Sequence, residues 1–352
     1  MNTPDPKNSS PPLSPNAGGH SKMIDAVDEL SRRLRAVQTE IERFIFGQPE
    51  VIEQTLISIL SGGHVLLIGM PGLGKTRLVE TLGRVLGLDQ RRVQFTPDLM
   101  PADILGSEVL EESNSGKRSF RFIPGPVFAQ MLMADEINRA SPRTQSALLQ
   151  AMQENRVSIA GHDHVLPEPF HVLATQNPLE QEGTYPLPEA QLDRFFMQID
   201  VAYPDMDAER TLLAATTSGT GEPPRQIIDS GDLIQAQQTI RQIPVGERVS
   251  DAILTLVRAG RPDDSPLDIV HQSVYWGPGP RASQALMLAV KARAVIQGRL
   301  APSLDDVFAL AGPVLRHRMA LGFSAHAEGI DINDVIEHLC RHAGQAQSPA
   351  AG

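Results

Sequence analysis

The spacing of apolar residues predicts a helical N-terminal region followed by alternating strands and helices. Between Met23 and Ile41, apolar residues recur every three or four positions, which predicts one buried face of a helix. A second helical stretch covers 51–60, and the continuous apolar run 64–68 after it predicts a strand buried on both faces. A glycine-rich turn and another helical stretch, which ends at Gly87, complete a strand–loop–helix unit.

Three more apolar runs predict further strands of the same sheet. They cover 127–134, 170–174 and 194–199. A helix is predicted after the first of them, with Ser141 as its N-cap and Pro142 at its first position. Strands that alternate with helices predict an α/β fold, in which helices cover both faces of an open and mostly parallel sheet.

Two segments interrupt this alternation and predict β-hairpin inserts. The first covers 107–127 and contains the turn-forming residues 114–117. The second covers 157–166 and turns at 161–163. Beyond Pro204 the apolar spacing is helical, which predicts a second and smaller domain.

The composition then divides the chain into four parts. Residues 1–20 are mostly Pro, Ser, Asn and Gly and predict a disordered tail. An α/β core is predicted for 21–203, an all-α domain for 204–342 and a flexible C-terminus for 343–352.

Charge and cysteine content exclude several classes of function. The chain has 352 residues, with 42 acidic and 31 basic side chains and a net charge of −11. This balance argues against broad binding to nucleic acid or to an anionic membrane. Cys340 is the single cysteine, so an internal disulfide and a multi-cysteine metal cluster are excluded. No apolar run approaches the length of a membrane span and the N-terminus does not resemble a signal peptide, so we expect a soluble cytoplasmic protein without membrane insertion.

The strongest chemical signal is an eight-residue phosphate-loop pattern between the first predicted strand and its helix. It consists of Gly69, Met70, Pro71, Gly72, Leu73, Gly74, Lys75 and Thr76. The glycines permit a backbone that aims several N–H groups into one concavity. Lys75 would reach the β- and γ-phosphates of a nucleotide, and the Thr76 hydroxyl would bind Mg²⁺. The positive end of the following helix would also favour the anion.

The second signal is the acidic pair Asp135 and Glu136, which ends the second predicted strand. Asp135 would hold Mg²⁺ directly or through water, and Glu136 would orient and deprotonate the attacking water. Taken alone, the pair is equally well explained as the acidic start of the next helix. Its position sixty residues after Lys75, on a buried strand, favours the catalytic role. The pair also favours hydrolysis by water over transfer of phosphate to a bound acceptor.

Three further residues are candidates whose signals are weaker. Asn177 follows the third predicted strand and could help to place the water, although without the first two motifs it is better explained as a turn residue before Pro178. Arg194 is a candidate to neutralise phosphoryl charge across a subunit boundary. Arg281 opens a helix of the smaller domain, from which it could reach nucleotide. From spacing alone, each arginine is better explained as an ordinary surface residue.

Together these motifs resemble the MoxR family of AAA+ ATPases over about residues 24 to 340. The segments that carry the resemblance are Phe46–Gln48, Gly69–Thr76, Gln94–Pro101, Ala134–Ala140, Ala174–Pro178 and Pro188–Phe195. The resemblance implies an AAA+ core with a helical lid, which binds ATP and Mg²⁺. It also implies that the two hairpins correspond to the helix 2 insert and to the hairpin before sensor 1.

The resemblance assigns roles that spacing does not. Asn177 matches the sensor 1 position and Arg194 the arginine finger, which acts on the ATP of a neighbouring subunit. Arg281 matches sensor 2 on the lid and acts either in its own subunit or in the next one. Gln48 resembles a residue of the segment that lines the adenine pocket.

Relatives of this kind form hexameric rings and act like chaperones. They remodel partners, insert metals or mature enzyme complexes, often together with a separate protein that carries a von Willebrand factor A-type domain. The leading hypothesis is therefore Mg²⁺-dependent ATP hydrolysis that remodels a client protein. Alternatives are a DNA-acting AAA+ motor, which the acidic balance disfavours, and a nucleotide switch that docks a partner and hydrolyses slowly. A GTPase is disfavoured because no Asn-Lys-x-Asp guanine motif is present.

Overall fold

The computed structural model of the chain describes residues 17–112, 118–180, 183–217 and 222–347. Most of the predicted N-terminal tail, the predicted turn at 114–117 and the last residues of the predicted C-terminal tail lie outside these ranges.

Helices and strands alternate through the first half of the described chain, and helices dominate the second half. The helices are α1 (Ala17–Glu42), α2 (Pro49–Leu60), α3 (Lys75–Val85), α4 (Pro101–Leu105), α5 (Pro142–Glu154), α6 (Glu189–Leu192), α7 (Met206–Thr217), α8 (Ser230–Gln242), α9 (Glu247–Ala259), α10 (Asp268–Ser273), α11 (Pro280–Ile296), α12 (Leu304–Leu315), α13 (Phe323–Ala327) and α14 (Ile332–Ala346). The strands are β1 (Val65–Gly69), β2 (Gln90–Gln94), β3 (Gly106–Glu112), β4 (Arg118–Pro124), β5 (Met131–Asp135), β6 (Arg156–Ile159), β7 (His162–Val165), β8 (His171–Gln176), β9 (Met197–Val201), β10 (Val274–Trp276) and β11 (Ala320–Leu321). Short 3-10 helices cover Ile137–Arg139 and Arg316–Arg318.

A five-stranded parallel sheet forms the centre of the core, in the order β2-β5-β8-β1-β9. Strand β1 is buried on both faces: Val65 and Leu67 pack in one apolar cluster, and Leu66 packs in the other. Side chains alternate between the two faces of a strand, so this short run supplies both helical layers with core residues. The predicted α/β fold with helices on both faces of a parallel sheet is confirmed.

One strand was not predicted, and two begin later than predicted. Strand β2 has no apolar run, because it lies at the sheet edge and buries only Val93 among its five residues. Strand β5 begins at Met131 rather than at 127, since the chain first turns with Phe128 N–H bonded to the carbonyl of Gly125. Strand β9 begins at Met197 rather than at 194, because the residues before it continue the turn that follows α6.

Both predicted inserts are antiparallel hairpins, formed by β3 with β4 and by β6 with β7. The ring of Phe122 on β4 stacks on the ring of His164 on β7, with 3.9 Å between centroids. Phe128 meets Phe122 edge-on at 5.4 Å. These ring contacts join the two inserts beside the core.

The second domain is helical, as predicted, and contains one small sheet in addition. Val274 of β10 pairs with Leu321 of β11, and Trp276 pairs with Ala320. The sequence of β10 is Val-Tyr-Trp, residues that favour extended backbone, which explains this exception to an all-α prediction. We refer to the helical domain from α7 onward as the lid.

Both ends of the described chain are more helical than predicted. Helix α1 begins at Ala17, before the predicted end of the tail at residue 20, and the last proline of that region is Pro15. Helix α14 continues to Ala346, although a flexible C-terminus was expected from 343, because its apolar face packs in the core as far as Ala343. No helix among the described residues is long and apolar enough to cross a membrane.

Two buried histidines stabilise the join between the sheet and its helices. His64 accepts the backbone N–H of Val172 at Nδ1 (3.0 Å), and its Nε2 lies 3.1 Å from the carbonyl oxygen of Met152. His171 Nδ1 lies 2.9 Å from the carbonyl oxygen of Gly63. Burial lowers the pKa of His64 to about 4 and also lowers the pKa of His171. Both rings are therefore neutral in the folded protein at neutral pH.

We expect the free energy of unfolding to fall as the pH is lowered from about 7 to about 5. The unfolded chain takes up a proton at each of these histidines near pH 6.5, whereas folded His64 stays neutral down to about pH 4. The slope from His64 approaches about 1.4 kcal/mol per pH unit below about pH 6.5, and His171 acts in the same direction. Urea unfolding at several pH values measures the slope. His64→Asn should flatten it, whereas the exposed control His326→Asn should not; an unchanged slope in His64→Asn would contradict the assignment.

Candidate nucleotide site

Three strand ends meet at one edge of the parallel sheet and form a cavity. Strand β8 lies between β1 and β5, so the segments that follow these three strands become neighbours. The cavity measures about 380 Å³. Its lining residues are Pro71, Gly72, Leu73, Gly74, Lys75, Thr76, Arg77, Asp135, Glu136, Thr175, Gln176 and Asn177. The structure thus brings the phosphate-loop pattern, the acidic pair and Asn177 to one place.

The phosphate loop depends on its glycines in two ways. Gly72 and Gly74 have φ of +86° and +78°, in the left-handed region that side chains disfavour. Gly69 has no room for a side chain, since a Cβ there would lie 2.7 Å from the carbonyl oxygen of Val201. Helix α3 begins directly after Gly74, so its positive end faces the cavity.

Lys75 places a positive charge in the cavity. Its Nζ donates hydrogen bonds to the carbonyl oxygens of Gly69 (2.5 Å) and Met70 (2.8 Å). Burial lowers the pKa of Lys75, while the charges of Asp135 and Glu136 act in the opposite direction. The ammonium group is therefore bonded to the loop backbone, and a bound phosphate would compete for it.

Thr175 on β8 contacts both residues of the acidic pair. Thr175 was not assigned a role from the sequence. Its hydroxyl donates to Oδ1 of Asp135 (2.6 Å) and accepts the backbone N–H of Glu136 (2.9 Å). Thr175 is 1% exposed, so both hydrogen bonds are shielded from water. Glu136 has φ of +55°, an uncommon conformation for a non-glycine residue, and its N–H is held in this conformation by the bond that it donates to Thr175.

The edge strand β2 supplies two more partners that the sequence did not indicate. Arg92 contacts Oδ2 of Asp135 through Nη2 (2.5 Å) and Nε (3.2 Å). Gln94 donates its Nε2–H to Oε2 of Glu136 (2.6 Å), and Arg139 contacts the same oxygen (2.8 Å). Gln94 opens one of the distinctive sequence segments, which was the only available signal for it.

The side chains of this cavity fit a magnesium ion that is bound mainly by water and phosphate. Thr76 and Asp135 offer a hydroxyl and a carboxylate, the hard oxygen ligands that Mg²⁺ prefers. No cluster of three or more His, Cys, Asp or Glu that could hold a metal occurs in the described ranges. Direct binding to Oδ2 of Asp135 would displace Arg92, whereas binding through water would not require this.

Asn177 lines the cavity and Gln48 contacts the phosphate loop, and each has hydrogen-bond partners of its own. The Asn177 amide donates to Oε1 of Glu180 (3.0 Å), and its carbonyl oxygen accepts the N–H of Leu179 (3.2 Å). Gln48 precedes α2 and donates to the carbonyl oxygen of Leu73 in the phosphate loop (3.2 Å).

Arg194 and Arg281 lie in a different cavity, of about 250 Å³, which they share with Asp193 and Arg318. Arg194 is in the turn after α6 and not on a strand, and Arg281 lies 3.5 Å from Asp193. Neither arginine lines the cavity of the phosphate loop in its own subunit.

These features define a class of protein. A phosphate loop after a central strand, an acidic pair at the end of another strand and a helical lid are the parts of a P-loop ATPase of the AAA+ class. The sequence matches the ATPase family associated with various cellular activities (AAA) over residues 64–197 and the AAA lid domain over 267–339.

Comparisons with whole proteins identify the family. The chain is 40% identical to Chaperone MoxR1 of Mycobacterium tuberculosis, over 96% of this chain and 88% of that protein. It is 31% identical to Protein MoxR of Paracoccus denitrificans, over 85% of this chain and 92% of that protein. A predicted ATPase of Cytophaga hutchinsonii has a similar crystal structure, with a TM-score of 0.84, 36% identity and coverage of 94% and 98% of the two chains. The chain belongs to the MoxR family of AAA+ ATPases.

We expect Thr175→Val to destabilise the protein by about 1–3 kcal/mol, because the substitution leaves two buried polar groups without their partner. Thr175→Ser keeps the hydroxyl and should lose much less. Urea unfolding of both variants measures the difference. Equal stability of the Val and Ser variants would show that the hydroxyl does not hold the acidic pair.

Proposed function

We propose that the protein hydrolyses ATP with Mg²⁺ and uses the resulting motion to remodel a client protein. The single observation that supports this most is the cavity in which Lys75 and Thr76 face Asp135 and Glu136. A phosphate loop alone would fit nucleotide binding. The acidic pair in the same cavity adds the means to activate water.

The residues of this cavity have distinct roles in the proposed reaction. Lys75 and the loop amides bind the phosphates, and Thr76 and Asp135 hold Mg²⁺. When bound, Mg²⁺ neutralises charge on the β- and γ-phosphates. Glu136 takes a proton from the attacking water, and Asn177 orients that water. Gln48, which contacts the loop at Leu73, lines the adenine side of the site.

The remaining charge would come from a neighbouring subunit. Arg194 and Arg281 share a cavity that does not include the phosphate loop, and this separation supports a role for both in the next subunit. We therefore propose a homo-oligomeric ring, hexameric as the family resemblance implies, with each ATP at a subunit boundary.

The class of client follows from relatives and not from the site. The relative from Mycobacterium tuberculosis is named a chaperone, which supports the proposal that this protein remodels or matures a protein complex. Insertion of a metal into the client is one form that such maturation could take. A separate partner with a von Willebrand factor A-type domain is part of the proposal. The net charge of −11 does not favour nucleic acid as the client.

Glu136→Gln should retain ATP binding and lose turnover by about 10²- to 10⁴-fold, because the amide cannot accept the proton of the attacking water. Calorimetry with ATP and Mg²⁺ measures binding, and phosphate release measures turnover. The exposed Glu337→Gln is the control. Normal turnover in Glu136→Gln would remove Glu136 as the base, and absence of ATP binding to the unaltered protein would refute the proposal as a whole.

Subunit mixing tests whether the arginines act in the neighbouring subunit. Arg194→Ala alone should lower turnover by up to about 10³-fold or more, as loss of an arginine finger does. Lys75→Ala alone should not bind ATP, but it keeps both arginines. Mixed rings should recover turnover, because Lys75→Ala subunits complete the sites of Arg194→Ala subunits. Arg281→Ala should behave in the same way; recovery for Arg194 only would assign Arg281 to its own subunit.

A further inference from the structure

Arg194 is carried by a short segment whose position is not fixed by Arg194 itself. We call residues 189–196, which comprise α6 and the turn that leads to β9, the finger segment. Within the described part of the chain, the Arg194 side chain makes no hydrogen bond or ion pair. Where its guanidinium points therefore depends on what holds the backbone on either side of it.

A buried arginine of the lid, Arg318, contacts the backbone on both sides of Arg194. Arg318 follows α12, and its side chain is 3% exposed. Its Nε donates to Oδ1 of Asp193 (2.8 Å), its Nη2 to the carbonyl oxygen of Phe195 (2.6 Å) and its Nη1 to the carbonyl oxygen of Phe196 (3.1 Å). Asp193 directly precedes Arg194, and Phe195 and Phe196 are the two residues after it. The carbonyl oxygen of Val314, within the lid, accepts a further bond from Nη1 (2.6 Å).

Two more lid residues hold the same segment. His317 Nε2 lies 3.0 Å from the carbonyl oxygen of Phe195. Burial lowers the pKa of His317, so the ring is neutral and Nε2 carries its proton as the donor. At the other end of the segment, the hydroxyl of Tyr275 on β10 donates to the carboxylate of Glu189.

The geometry of Arg318 requires a guanidinium. Its donors point in fixed directions within one plane, and here they reach a carboxylate and three carbonyl oxygens at once. A lysine has one nitrogen and three donors, so it cannot reach the same set of acceptors. Asp193 also pairs with Arg281 at 3.5 Å, which places two lid arginines on the carboxylate next to Arg194.

We propose that Arg318 is a positioning residue: it fixes the finger segment to the lid, so that the orientation of the lid sets where Arg194 meets the ATP of the neighbouring subunit. This inference rests on the proposed function. Arg318 is buried away from the phosphate-loop cavity of its own subunit, so it acts through Arg194 and not on nucleotide.

The first test compares Arg318→Lys with the exposed control Arg341→Lys. Arg318→Lys should assemble and bind ATP with unchanged affinity, while its kcat falls by about 10- to 100-fold, because a finger that is present but misplaced loses most of its effect. Arg341→Lys should match the unaltered protein in all three measurements. Normal kcat in Arg318→Lys would overturn the proposal.

Subunit mixing separates positioning from a general loss of structure. In mixed rings with Lys75→Ala, the Arg318→Lys subunits receive an intact finger from their neighbours, so turnover should exceed the weighted sum of the two proteins measured alone. A merely structural defect within the Arg318→Lys subunit would not be repaired in this way. An assembled, ATP-binding Arg318→Lys protein whose turnover stays low on mixing would overturn the proposal.

If Arg318→Lys does not assemble, Asp193→Asn serves as the second variant, since it weakens the same contact from the partly exposed side and keeps the side-chain size. It should also lower kcat at unchanged ATP affinity and recover on mixing, and normal kcat would count against the proposal. Arg194→Ala distinguishes failure of this inference from failure of the proposed ring mechanism. If it abolishes turnover while Arg318→Lys and Asp193→Asn are normal, only this inference fails; if Arg194→Ala itself is normal, the proposed ring mechanism fails.

Discussion

The position of β8 between β1 and β5 is the constraint on which the rest of the structure depends. It brings the phosphate loop after β1 and the acidic pair after β5 to the two sides of one strand end. Thr175, on that middle strand, then contacts both members of the acidic pair. This one buried hydroxyl therefore fixes both the carboxylate of Asp135 and the backbone conformation of Glu136.

Motifs of consecutive residues could be identified from the sequence, whereas contacts between strands could not. The phosphate loop was recognisable because its glycines, Lys75 and Thr76 are consecutive, and the acidic pair because it ends an apolar run. Arg92 and Thr175 reach Asp135 from strands that are adjacent in the sheet but distant in the chain. Strand β2 was missed for a related reason: an edge strand buries little and has no apolar pattern to detect.

The lid arginines show a second limit of sequence reasoning. Arg281 begins a helix, and the spacing of residues gives no indication of which cavity it faces. Arg318 belongs to none of the motifs identified in the sequence. Its role is indicated only by its hydrogen bonds to backbone carbonyl oxygens of the finger segment. Such contacts depend on how two domains dock, which is a property of the folded chain and not of any short segment.

The ring contact between Phe122 and His164 has a mechanical consequence. Each hairpin alone is a two-stranded ribbon, which bends easily about its base. Because these stacked side chains join one hairpin to the other, bending of either hairpin is opposed by the attachments of both to the core. The two inserts are therefore coupled, and a displacement of one is passed to the other through this ring contact.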